Sequence, residues 1–267
     1  MGAIILIKRK EGFLQGMIYL MISQVVIKIL GMIYSLYLTN KKGFGDEGNA
    51  ICVAGFQVYA LFLGICAIGI PNSVSKLVSE SAAIEDQEGC RRILKVSLIV
   101  FTTIGFVFCF VLYNEADFIA NRILCISSSK DILKILAPSI VFSTMESVYR
   151  GYFNGINQIS ISSKSIVLEQ ILKTILTLIL VEQIGKLTNY HTNLMAKGAM
   201  LAASIATFAS FLYSFIKYKI TNSHIEKKIV KKRSGEFPKC KWYFKRIIEN
   251  SNTNLFNNGY YDITKQY

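Results

Sequence analysis

Lys28, Glu146, Arg150, Glu169 and Lys173 are ionisable side chains that fall inside otherwise apolar stretches. A charge near the centre of a membrane-spanning helix costs about 2.5–3.5 kcal/mol on insertion scales, so such residues mark ligand or ion pathways by default. Their chemistry is recognition, not bond-making. An ammonium or guanidinium attracts a phosphate-like anion, and a neighbouring carboxylate limits the grip and keeps release possible. Glu146 and Arg150 are four apart, as are Glu169 and Lys173. Residues at i and i+4 share a helix face, so each pair can also neutralise itself. Both readings stand. Lys28 has no acidic partner within its own helix. Its ammonium must snorkel, pair across helices or face a wet cavity. Arg150 lies at the end of its stretch and could equally anchor a lipid headgroup. The five charges, three basic and two acidic, sum to +1, which favours an anionic ligand over an organic cation.

Other constellations carry less. Gly45-Asp46-Glu47-Gly48 is too short for a calcium loop, and no Gly-Lys-Ser/Thr follows a glycine-rich turn. A turn that caps the next helix is the simpler reading. Cys52, Cys66 and Cys109 sit in apolar runs, and no cysteine pair has metal or redox spacing. His191 and His224 fall in loops. No catalytic triad, ATPase signature or cofactor motif is present, so the expectation is a protein that is not an enzyme and holds no cofactor. Any transport would draw on an ion gradient, the membrane potential or downstream consumption.

The elements that must position these charges are membrane helices. The chain has 267 residues, 52% hydrophobic and 18% charged, where a soluble domain carries about 25% charged residues. Stretches 48–75, 96–114 and 198–216 contain no Asp, Glu, Lys or Arg, and about 20 apolar residues span a bilayer. Six spans are expected, at 14–38, 49–74, 94–113, 132–153, 160–183 and 196–216. Backbone groups in lipid must bond internally, so each is helical. The expected fold is an all-α polytopic membrane protein. A soluble enzyme, a disulfide scaffold and a disordered tail protein are excluded.

Residues 1–13 read as a cytoplasmic lead-in, because the apolar Ala3–Ile7 stretch precedes Lys8-Arg9-Lys10, the wrong order for a cleaved signal. Residues 217–246 contain 11 Lys or Arg and two Glu, which accounts for +9 of the +13 net charge. Basic loops stay cytoplasmic, so both termini are expected there, as an even number of spans requires. The basic charge is therefore a matter of topology and of contact with membrane lipids, with no nucleic acid partner. Residues 217–249 form a basic linker. Residues 250–267 are rich in Asn and resemble no fold element.

Several segments, taken in order, resemble one family. They are Ile29-Leu30-Gly31-Met32-Ile33-Tyr34, then Gly45-Asp46-Glu47-Gly48, then Ile68-Gly69-Ile70-Pro71 with Ser75-Lys76-Leu77-Val78-Ser79-Glu80. Arg150-Gly151-Tyr152-Phe153-Asn154-Gly155 and Glu169-Gln170-Ile171-Leu172-Lys173 follow. Together they are similar to polysaccharide biosynthesis flippases of the stage V sporulation protein B type, within the multidrug/oligosaccharidyl-lipid/polysaccharide exporter superfamily. The resemblance implies a two-lobe fold around a central cavity, of which residues 14–216 would form one six-helix lobe. It implies a flippase for a lipid-linked, anionic glycan or peptidoglycan precursor, working by alternating access, with Lys28, Glu146, Arg150, Glu169 and Lys173 lining half of the cavity. It also implies that Pro71 and Pro138 could let helices bend, although Pro71 could equally be a plain helix end. A cation-coupled multidrug-type exporter is the alternative within the superfamily. A third reading is a half-protein that acts only with a second lobe or a second copy. Under the resemblance, the 250–267 tail suggests a frameshift. One codon choice for residues 250–255, moved by one base, encodes a segment similar to the start of the family's seventh helix.

Overall fold

A computed structural model describes residues 13–67 and 69–229. The lead-in, most of the basic linker and the 250–267 tail lie outside the described residues. Among those described, every regular element is helical: α1 (Phe13–Thr39), α2 (Gly45–Ala67), α3 (Gly69–Ala83), α4 (Gln87–Asn114), the short α5 (Ala116–Phe118), a π-helical turn (Ile119–Ile123), α6 (Ser129–Gly155), α7 (Ile159–Leu187) and α8 (Thr192–Ile229). Five stretches are long and apolar enough to cross a membrane: Leu14–Thr39, Gly45–Ala83, Gln87–Asn114, Ser129–Gly155 and Thr192–Thr221. The 29-residue α7 lies among them and packs on α1 and α8. Its interior carries Glu169, Lys173 and Glu182.

Local chemistry sets the ends. Asp46 and Glu47 occupy the first turn of α2, where acids complement the helix dipole. The carboxylate of Asp86 accepts from the Gly89 N–H at 2.8 Å and caps α4. The expected second span proves to be two helices. Pro71 stands as the third residue of α3, in the first turn, where a missing N–H removes no helical bond. The chain therefore restarts as a helix beyond the apolar run instead of ending there. Pro138, by contrast, sits inside an α6 that continues through it.

α6 is the hub, packed against α2, α3, α4 and α8. It is buried along its length. Two apolar cores occupy opposite ends of the bundle. One gathers Leu38, Phe44, Ile51, Leu112, Ile132, Leu136, Ala199 and Met200. The other gathers Ile70, Val74, Leu94, Val148, Tyr152 and Phe153. Between them α6 contributes Ser143, Thr144, Glu146 and Ser147, and α8 contributes Ser204, Thr207 and Ser210. The bundle thus carries a polar layer between two apolar plugs.

Lipid tails are as apolar as leucine, so membrane helices associate through close packing of small residues. A Cβ built at Gly151 would lie 2.8 Å from the Pro71 carbonyl oxygen, and one at Gly155 would lie 2.8 Å from that of Ser75. These two glycines, one turn apart, let α3 settle onto α6.

At one end of the bundle, the α1–α2 and α7–α8 turns are fastened together. The Lys41 ammonium pairs with Glu182, which also accepts from Tyr37 Oη at 3.2 Å and pairs with Lys186 at 3.2 Å. The Lys41 and Lys42 ammoniums lie over the Tyr190 ring, 5.9 and 5.5 Å from its centroid. Gly43 has φ +76°, and a Cβ there would meet the Tyr190 carbonyl oxygen at 2.5 Å. Gly43→Ala should therefore lower stability by more than about 1 kcal/mol, since the native backbone suits only glycine. A melting curve in detergent micelles checks this, and an unchanged midpoint would show that the turn adapts.

Candidate functional site

The polar layer holds the sequence-derived charges on α6 and α7. Arg150 Nη2 donates to Glu146 Oε1 at 2.6 Å and to Glu169 Oε2 at 3.0 Å. Its Nε donates to Ser165 Oγ at 3.3 Å. Glu146 is 1% exposed and is also held by the hydroxyl of Ser210. Thr207 Oγ1 donates to Glu169 Oε1 at 2.9 Å. A buried charge is tolerable only when paired and hydrogen-bonded, and this network provides both. Three helices supply it. Ser162, Ser165 and Glu169 line one face of α7, and Thr207 and Ser210 line the facing stripe of α8.

Next to the network lies a cavity of ≈ 210 Å³ between α2, α6, α7 and α8. Glu169, Gln170 and Lys173 enter its wall from α7, Phe56 and Tyr59 from α2, and Ser139 and Ser143 from α6. The Lys173 ammonium stands 4.6 Å from the Phe56 ring centroid and 5.4 Å from that of Tyr34. These are cation–π distances.

The sequence expectations divide accordingly. The Glu146–Arg150 pair forms, and Glu169 joins it across the helix interface. The pairing of Glu169 with Lys173 does not form. Both Glu169 oxygens are taken by Arg150 and Thr207, and Lys173 rests on aromatic faces instead. Lys28 stands apart from the cavity. It is exposed on α1, because α1 turns towards α7 only a narrow face that includes Gly16 and Gly31. Exposed Gln24 and Ser35 lie on the same flank as Lys28, one and two turns away. The convergence of charges therefore involves two helices, α6 and α7, and not three. Ser165, Thr207 and Ser210 were missed. Their signal was a three-to-four-residue spacing of hydroxyls along 162–165 and 204–214.

A family model described as "Polysaccharide biosynthesis protein" matches residues 13–246. Two relatives come from Bacillus subtilis. The lipid II flippase MurJ is 29% identical over 210 residues, covering 76% of this chain and 37% of the relative. Stage V sporulation protein B is 28% identical over 214 residues, covering 79% of this chain and 40% of the relative. The chain thus spans well under half the length of either. Among solved structures, a MOP superfamily transporter from Pyrococcus furiosus matches with a TM-score of 0.67 at 17% identity, covering 90% of this chain and 52% of that one. A multidrug resistance MATE family transporter matches with a TM-score of 0.68, also at 17% identity and with the same coverage. The fold is therefore that of one half of a MOP superfamily transporter. With the family match running from the first helix past the last one described, the chain belongs to the polysaccharide biosynthesis protein family.

Proposed function

We propose that the chain forms one lobe of a flippase for a lipid-linked polysaccharide or peptidoglycan precursor. What carries this reading is the alignment of the lipid II flippase MurJ, and with it stage V sporulation protein B, over about three quarters of the chain. A polar layer between two apolar plugs supports it, since ionisable groups at membrane depth mark substrate paths. The anionic headgroup enters between this lobe and a second one, at the depth of the polar layer, while its lipid tail stays in the bilayer. Lys173 and Glu169 face the headgroup from within the lobe. Lys28, with Gln24 and Ser35, forms a polar stripe on the exposed flank of α1 and meets the headgroup from outside the cavity, on the side open to a second lobe. Arg150, itself anchored by Glu146, holds Glu169 in place. A second lobe, or a second copy, closes the other side. Both termini face the cytoplasm, where the basic residues after α8 meet anionic lipid.

The likeness to a multidrug transporter in fold supports a second reading, an exporter of organic cations. A reconstitution assay separates the two. Proteoliposomes holding the chain should move a fluorescent diphosphate-linked lipid across the bilayer and leave a dye cation untouched. Lys28→Ala should insert normally and lose most of that movement. Normal flipping by this variant would remove Lys28 from the path, and dye movement without lipid movement would overturn the reading.

A further inference from the structure

Two donor-bearing groups on the cavity wall, Lys173 and Ser139, stand without a hydrogen-bond partner among the described residues. Among the described residues, no carboxylate lies within 4 Å of the Lys173 ammonium, and its contacts are the ring faces of Phe56 and Tyr34. An ammonium carries three donors and no acceptor. Ser139, 1% exposed, lines the same cavity, and its Oγ has no hydrogen-bond partner among the described residues. A buried hydroxyl left so is uncommon and calls for an occupant. The Gln170 side-chain amide lies on the wall as well. Glu169, the one carboxylate facing this space, has already given its two oxygens to Arg150 and Thr207. Room is ample, since a water takes about 30 Å³ and the cavity measures ≈ 210 Å³.

We propose that this cavity binds a small monovalent anion of the halide type, gripped by Lys173 and Ser139 and carried with part of its water shell. One negative charge is the limit, because Glu169 stands one helical turn from Lys173 and repels a dianion. The site lies inside a single lobe, and the ion completes the hydrogen bonding of the Lys173 ammonium. A phosphodiester group of a lipid headgroup, also singly charged, would compete for the same donors. Only this last point rests on the flippase reading.

Equilibrium dialysis of the purified full chain in detergent against radiolabelled chloride tests the site. Saturable binding is expected, displaced by bromide and not by sulfate. Lys173→Met should weaken it at least about tenfold, equivalent to about 1.4 kcal/mol, and Ser139→Ala by a few-fold. The serine variant guards against misfolding of the lysine one. Absence of saturable binding, or equal binding in the parent and both variants, overturns the proposal. So does displacement by sulfate at chloride-like concentrations. A soluble diphosphate headgroup analogue, added last, should compete with chloride. Chloride binding that ignores the analogue sustains the anion site and removes the headgroup from this cavity.

Discussion

Arg150→Met should destabilise the chain by about 3–5 kcal/mol, the usual cost of leaving one member of a buried ion pair alone. Glu146 is 1% exposed and would keep a single hydroxyl partner, Ser210. Glu169 would retain only Thr207. The two carboxylates would then face each other across α6 and α7 without a cation between them. Glu146→Gln should be much milder, since Arg150 keeps Glu169 and the amide oxygen can still accept from Ser210. Arg92 pairs with Glu88 at 2.8 Å on an exposed face, and Arg92→Met there should cost no more than about 1 kcal/mol. Unfolding in mixed micelles gives the three values. Equal losses for Arg150→Met and Arg92→Met would show that the buried network contributes nothing special.

Gly151→Val and Gly155→Val should each push α3 away from α6. The added Cβ at Gly151 meets the Val74 Cβ at 2.9 Å and the Pro71 carbonyl oxygen at 2.8 Å. At Gly155 it meets the Val78 Cβ at 2.7 Å. Backbone oxygens cannot rotate aside as a side-chain tip can. Overpacking of this kind costs about 1–3 kcal/mol per site, and the two sites share one seam, so the double variant should lose α3 docking altogether. Cysteines placed at Asn72 on α3 and at Asn154 on α6 would report the separation through spin-label distances. An unchanged distance in the double variant would mean that the seam yields elsewhere.

Much of this was legible beforehand. Apolar length located the five stretches apolar enough to cross a membrane, because the bilayer requirement is a property of composition, whereas the expected span at 160–183 is a helix, α7, that falls outside that set. The i, i+4 rule paired Glu146 with Arg150, since both lie on one helix. It failed for Glu169 and Lys173, where the decisive partner, Thr207, lies on another helix and 38 positions away. Spacing within a helix cannot weigh a rival across an interface. For Lys28, depth in a span was readable and direction was not, because which face of α1 meets α7 depends on Gly16 and Gly31. The second helix after Pro71 was hidden because a proline in a first turn and a proline past a last turn read alike.

In the 18-residue apolar window of α6, 67% of the residues are buried, and α6 is the least apolar of the five candidate spans, whereas in that of α1, which is more apolar, 11% are buried. During synthesis, then, the two helices meet the translocation machinery under different terms. α1 can partition into the bilayer unaided. α6, with Glu146, Arg150 and a run of hydroxyls, faces lipid at a higher cost than α1 does. Of the helices that cover it, α2, α3 and α4 are made earlier and α7 and α8 later. The hub of the finished bundle is thus its most dependent passenger during biogenesis, and substitutions in α7 or α8 should surface first as failed insertion of α6.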